Sequence, residues 1–271
     1  MAGQLAPEIV AAMLRLIMSH PALPVSRPFV FGLCGSQGSG KSTVSARLQA
    51  DLNAAGLPTA VLSLDDIYKT KAERAVMARS LHPHFRTRGV PGTHDVALAL
   101  DVLSALARGE PAPLPRFDKA RDDRADRAAW GMAPADTRVL ILEGWFVGAR
   151  PATGTPDPAP LNAVEAEDAQ GLWRARIEQA LQEDYQALFV RIDALALLAA
   201  PGFDVVSAWR TEQEHDLRAL SGGGMSDQDV RRFIQHYERL TRRILDEMPA
   251  YADLVIALDA RRRPQAIQIR A

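Results

Sequence analysis

Between Gly35 and Ser42 the chain reads GSQGSGKS, which fits the spacing GxxxxGK[ST]. In a loop of this kind successive backbone N–H groups converge on the β- and γ-phosphates of a nucleoside triphosphate, and glycines keep Cβ atoms out of the way. Gly35, Ser36, Gln37, Gly38, Ser39, Gly40, Lys41, Ser42 and Thr43 are therefore the candidate nucleotide-binding residues. Lys41 neutralises phosphate charge, and Ser42 offers a hydroxyl to Mg²⁺. Two acids complete a phosphoryl-transfer set. Asp65 follows the apolar run TAVLSL, where a carboxylate can take the proton of an acceptor hydroxyl late in the reaction. Its neighbour Asp66 suits either a helix N-cap near Tyr68 or the metal shell; Tyr68 itself either lines the acceptor pocket or packs. Glu143 follows the run VLIL, the place where an acid faces Mg²⁺, often through water. Ser42 and Glu143 are thus the metal candidates, with pairing to a local arginine as the plainer role for Glu143.

The acceptor side is read from charged residues, most of them cations. RGVPGTHD carries Arg88 and His94, and PRFDKARDDR carries Arg116, Asp118, Lys119 and Arg124. Arginine's planar fork matches a carboxylate or phosphate in two bonds, so the group suits a small anionic acceptor. Each residue taken singly is equally at home in a surface ion pair, and His94 in a structural role. Further on, Arg210 and Arg218 precede the glycines of SGGGMSD. A mobile lid there could carry a cation to the transferring phosphoryl group, which adds Arg218 to Lys41 and Asp65 as a catalytic candidate.

These residues need a scaffold that brings them to one edge. Five apolar runs, FVFGLC, TAVLSLDD, VLILEGWF, ALFVRID and DLVIALD, alternate with helical patterns. That alternation predicts a mainly parallel five-stranded sheet covered on both faces, in which the carboxyl ends of the strands meet the ligand. One domain over 1–271 is expected, with a packing helix within 1–26, an irregular substrate-side insertion over 86–130 and a helical lid over 203–248. The Pro-rich GARPATGTPDPAPL is expected to cover part of the same cleft. With 47% apolar residues the core is ample, and a formal net charge of −1 gives no electrostatic case for nucleic acid. Arg261 to Arg263 read as a solvated edge or an anion contact, with the adenine pocket placed near the lid and the turn from Arg261 to Pro264. Cys34 is the single cysteine, so no intramolecular disulfide forms and a cytoplasmic setting is the default. The N-terminal helical pattern is too short to span a bilayer.

Taken together, GSQGSGKST, SLDDIYKT, RGVPGTHD, PRFDKARDDR, ILEGWFVGARP and GMSDQDVRRFIQHYERLT resemble the D-glycerate 3-kinase family, which belongs with the phosphoribulokinase, uridine kinase and pantothenate kinase group. The matched segments run from Gly35 to about Thr241, most of the chain. The resemblance implies a P-loop NTPase three-layer αβα sandwich and Mg²⁺- and ATP-dependent phosphorylation of D-glycerate to 3-phosphoglycerate. By motif position Asp65 corresponds to the acid opening the DxxY element and Glu143 to the Walker B acid. Where some members carry DKS and then GDR, this chain has Ala120 after Lys119 and reads RDDRADR, which leaves Arg124 and Arg127 both open as the equivalent arginine. Pantothenate, a nucleoside or a sugar phosphate is the alternative acceptor. A nucleotide-dependent switch protein is the alternative of another class, against which stands the lack of an NKxD or TKxD element.

Overall fold

Every residue of the run Phe29–Gly35 is buried, as is every residue of Val139–Gly144, and that condition is met only when helices cover both faces of the sheet. The computed structural model describes residues 6–23, 27–154, 157–221 and 224–270. Its main sheet consists of β1 (Phe29–Gly35), β2 (Thr59–Ser63), β3 (Val139–Gly144), β4 (Ala194–Ala199), β5 (Leu254–Leu258) and β6 (Pro264–Ile269). The order is β6-β5-β4-β1-β3-β2. β1 to β5 pair in parallel, and β6 runs antiparallel to β5. The expected mainly parallel α/β sheet is present, with six strands in place of five. The added strand, PQAIQI, lies on the edge with every residue half-buried or exposed, so it lacks the continuous apolar signal of the others.

One strand was expected in the wrong place. ALFVRID reads as a strand, yet Gln186–Phe189 is helical and the strand begins only at Ala194. The Ala- and Leu-rich β4 has high helix propensity and no β-branched residue; burial between β1 and β5 overrides that preference. The insertion is also more regular than expected, because VALALDVLSALA forms a helix over Val96–Ala107 and ends before Gly109, which adopts φ +71°.

The helices that position the site follow from capping and amphipathicity. α1 (Pro7–Ser19) buries Ile9, Val10, Met13, Leu16 and Ile17 and packs on α2 (Lys41–Ala54) and on β4 to β6. Burial of such side chains contributes about 1.5–3 kcal/mol each. α3 (Lys71–Ser80) starts with a complete capping box, Thr70 with Glu73. α4 (Val96–Ala107) follows it, and α5 (Leu172–Ala180) runs on through a π-turn at Leu181–Tyr185. The lid region holds α6 (Phe203–Ser221), α7 (Asp227–Gln235) and α8 (Glu238–Glu247). The expected second lid helix is therefore broken at His236 and Tyr237. Of the expected glycine hinge, Gly222 and Gly223 lie outside the described residues.

Candidate active site

β1 occupies the middle of the sheet between β3 and β4, the switch point at which open α/β sheets bind ligands. The loop from Ser36 to Gly40 leaves its carboxyl end, and α2 begins at Lys41 after Gly40 in the left-handed region at φ +91°. Its amides therefore stand at a helix N-terminus, a ready anion site. Lys41 Nζ rests on the carbonyl of Ser36 at 3.2 Å. The hydroxyls of Ser36 and Ser39 are buried without hydrogen-bond partners among the described residues. Gly38 leaves no room for a side chain: at φ +72°, a Cβ there would stand 2.6 Å from Trp209 Cβ on α6. Arg262, from the β5–β6 turn, donates through Nε to the Gly38 carbonyl at 2.6 Å and pairs with Glu212 at 2.6 Å. The lid helix and the last hairpin thus brace the loop from outside.

Register brings the acids to it. Glu143 is level with Leu33 on β1 and with Ser63 on β2, so it sits beside the entry to the loop and two residues from Asp65. Ser42 Oγ faces Glu143 Oε1 at 3.5 Å. Burial pushes the Glu143 carboxyl up, while the Lys41 charge pulls it down and Asp65 adds to the rise. A buried carboxylate beside a hydroxyl is a hard-oxygen pair that fits Mg²⁺, an ion that takes few protein ligands and fills its shell with phosphate and water. Among the described residues no group of three or more His, Cys, Asp or Glu side chains forms a cage.

β2 ends at Ser63, and Leu64–Asp66 is a single tight turn opened by the Ser63 hydroxyl, which accepts the Asp65 N–H at 3.2 Å. Asp65 is thereby lifted off the strand end. Tyr68 Oη donates to its Oδ1 at 2.6 Å, and Lys119 Nζ donates to Oδ2 at 2.8 Å. Burial would raise the Asp65 carboxyl, but Lys119, Tyr68 and Lys41 together hold it well below the usual carboxylate range. The side chain still keeps 41% of its exposure, so it is ionised and reachable. Tyr68 is buried, and burial together with the Asp65 charge keeps its hydroxyl protonated as a donor. Asp66 caps no helix: it accepts from Arg116 at 2.7 Å and from the Phe117 N–H at 3.2 Å. The reason is that α3 begins later and carries its own cap.

Phe117–Asp118 and Asp123–Arg124 pair as a small ribbon, and Lys119 projects from its turn. Asp118 builds that turn by accepting the N–H groups of Ala120 and Arg121. Arg124 binds Asp95 at 2.9 Å and the Tyr68 carbonyl at 3.1 Å, whereas Arg127 lies over Trp130. Arg88 pairs with Asp122, and its guanidinium lies over the Phe117 and Tyr68 rings at 5.4 and 6.0 Å. His94 is only 2% exposed and stands behind Tyr68, ring centroids 4.6 Å apart. Burial pushes its imidazole down to about 3.

Lys41, Asp65, Tyr68, Arg88, Lys119 and Glu143 thus gather at one edge, with Arg116 on Asp66 beside them. Arg218 is not brought there: it pairs with Asp227 between α6 and α7, and no hydrogen bond joins it to the loop or to Asp65 among the described residues. Arg210 pairs with Glu214 at 2.6 Å. Ala152, Asp157 and Pro158 of the Pro-rich stretch line a cavity of about 750 Å³ together with Val90, Pro91 and Trp145 of the acceptor-side segments and with Trp173 and Arg239. Sequence reasoning missed Arg74, which is 1% exposed and donates to the carbonyls of Lys69, Arg86 and Asp122, fastening both cationic segments to α3. It also missed Tyr185 and the bracing role of Arg262; no local pattern marks any of the three.

A phosphate-binding loop at the centre of a mainly parallel sheet, with acids presented at the carboxyl ends of β3 and its neighbour β2, defines a P-loop kinase fold. Residues 30–150 match the phosphoribulokinase / uridine kinase family. The chain is 36% identical over 240 residues to the uncharacterized kinase mug58 of Schizosaccharomyces pombe, covering 84% of this chain and 85% of the relative. It is 30% identical over 256 residues to the chloroplastic D-glycerate 3-kinase of Arabidopsis thaliana, covering 88% of this chain but 54% of that one. The solved D-glycerate 3-kinase from Cryptococcus neoformans var. grubii matches with a TM-score of 0.79 at 25% identity, over 99% of this chain and 100% of the other. The chain belongs to the phosphoribulokinase / uridine kinase family, and it is a phosphotransferase with ATP as donor. No described helix is long and apolar enough to cross a membrane.

Proposed function

We propose that the protein transfers the γ-phosphoryl group of ATP to D-glycerate, giving 3-phosphoglycerate. The carrying observation is Asp65: ionised, reachable, adjacent in charge to Lys41 and bonded to both Tyr68 and Lys119. A carboxylate held this far below its usual range is a weak base toward a ground-state alcohol. It suits a loose phosphoryl-transfer transition state, in which the acceptor proton leaves late. Asp65 orients the acceptor hydroxyl and receives its proton, while Tyr68 holds the carboxylate in place. Lys119, 59% exposed on its turn, is free to exchange part of its contact with Asp65 for the carboxylate of the acceptor, and Arg88 and Arg116 add positive charge around it. An acid acceptor fits this surround better than a neutral nucleoside. Ser42 and Glu143 would hold Mg²⁺, which supplies charge neutralisation at the phosphates. The loop amides and Lys41 bind the triphosphate and stabilise the charge that spreads over the transferring group.

The test is ADP release from Mg²⁺ and ATP with D-glycerate, L-glycerate, pantothenate, uridine and ribulose 5-phosphate supplied separately. Stimulation by D-glycerate above all the others is the expected result. Stimulation by another acceptor alone assigns the site to that acceptor, and equal slow hydrolysis with all of them assigns it to a switch.

A further inference from the structure

The π-turn Leu181–Tyr185 at the end of α5 directs Tyr185 into the interior behind the acceptor side, and such turns recur at functional sites. Tyr185 has no exposed surface. Its hydroxyl accepts the Gly92 N–H at 3.0 Å and lies 2.6 Å from His94 Nδ1. A phenol has one proton, and no other acceptor for it is present among the described residues. If Tyr185 donates to Nδ1, the imidazole carries its own proton on Nε2. That leaves a single unpaired group, the buried Nε2–H. If instead Nδ1–H donates to the phenol, the phenolic proton and the bare Nε2 are both left unpaired. Burial without partners costs free energy for each group, so the first arrangement wins. The low proton affinity that burial imposes on His94 removes the imidazolium from consideration.

The consequence reaches Asp65 through packing. Residues 92–95 are zipped to the turn that carries Asp65: Lys69 N–H bonds the Thr93 carbonyl at 2.9 Å, and Asp95 N–H bonds the Ile67 carbonyl at 2.7 Å. The His94 ring backs the Tyr68 ring on one side, and Phe117 meets it edge-on at 5.1 Å on the other. An imidazole free to flip about its ring bond would loosen this stack. Tyr68 is the group that holds Oδ1 of Asp65.

We infer that Tyr185 is a positioning residue: its hydroxyl fixes His94 as the Nε2–H tautomer behind Tyr68 and so keeps the Tyr68 hydroxyl on Asp65. This rests on Asp65 being the acceptor-side carboxylate. The test begins with long-range ¹H–¹⁵N correlation of the His94 ring in the ligand-free protein near neutral pH. The expected spectrum shows a bare Nδ1 and a protonated Nε2, and Tyr185→Phe should move it toward an average of the two tautomers. With D-glycerate, Tyr185→Phe should lower kcat about 3- to 10-fold, the value of one neutral hydrogen bond, and leave the KM for ATP unchanged. His94→Ala with Tyr185→Phe should be no worse than His94→Ala alone, because the two act as one unit. A protonated Nδ1 in the wild type overturns the inference; so do additive losses in the double variant, or a kcat change below threefold. If Tyr185→Phe fails to fold, the wild-type spectrum still decides the tautomer. A wild-type protein inert toward D-glycerate but showing the expected tautomer separates failure of the acceptor assignment from failure of this inference.

Discussion

Replacing Asp65 by Asn removes one charge and one proton acceptor while keeping the shape of the side chain. The amide oxygen still accepts from Tyr68, so the buried phenol is not orphaned. The ion pair that is lost, Lys119 to Asp65, has side chains 59% and 41% exposed. Pairs so open to water contribute about 0–1 kcal/mol. For a chain of this size that lowers Tm by no more than about 2–4 °C. Turnover has a different scale, because general-base contributions are about 10²- to 10⁴-fold, a rise of roughly 3–5 kcal/mol in the barrier. ATP binding should be retained, since the lost charge is negative and lies near Lys41. The assay is coupled ADP release with D-glycerate, accompanied by calorimetric titration of ATP and a thermal melt. A large loss of kcat with nearly unchanged ATP affinity and Tm is expected. Turnover within threefold of wild type would refute the assignment of Asp65 as the proton acceptor.

Further outcomes follow from the same geometry. Lys41→Ala should weaken ATP binding and turnover together, measured by calorimetry and steady-state kinetics, because its charge acts in both the ground and the transition state. Gly38→Ala combines a left-handed backbone with a clash against Trp209 and should lose about 2–5 kcal/mol in denaturant unfolding. Gly40→Ala, at φ +91° but with nothing within 4 Å, should lose only about 1–2 kcal/mol; equal losses would contradict the proposed clamp on the loop. Acid should destabilise the fold before the carboxylates titrate. His94 and His236, pushed down by burial to about 3 and about 4, bind protons in the unfolded chain near pH 6.5 but not in the folded one. Their stabilisation is therefore whole above about pH 7 and is lost as pH falls, by roughly 2 kcal/mol per histidine between pH 7 and 5. Urea unfolding of wild type and His236→Asn at both pH values checks this; an unchanged slope in the variant goes against it.

The parts of the site that are continuous in sequence were legible. The loop from Gly35 to Thr43 and the acids closing TAVLSL and VLIL are local patterns, and parallel pairing of β1, β2 and β3 brings them together with no further information. The strand Ala194–Ala199 escaped because its Ala and Leu residues carry a helical propensity that only tertiary burial reverses. β6 escaped because an exposed edge has no apolar run to detect. Asp66 and Asp118 were identified as acids in the right segments, but their partners, Arg116 and the turn amides, depend on how the ribbon at Phe117 folds. Arg74 and Tyr185 act across 48 and 91 residues of chain, and Arg262 reaches Gly38 across 224; separations of this kind leave no periodic trace.

The acceptor assignment is most directly decided by ³¹P NMR of the wild-type protein incubated with ATP, Mg²⁺ and D-glycerate. Equal growth of ADP and 3-phosphoglycerate signals, with no free phosphate, is the predicted result. ADP accompanied by inorganic phosphate, or no consumption of ATP beyond the glycerate-free control, would contradict it.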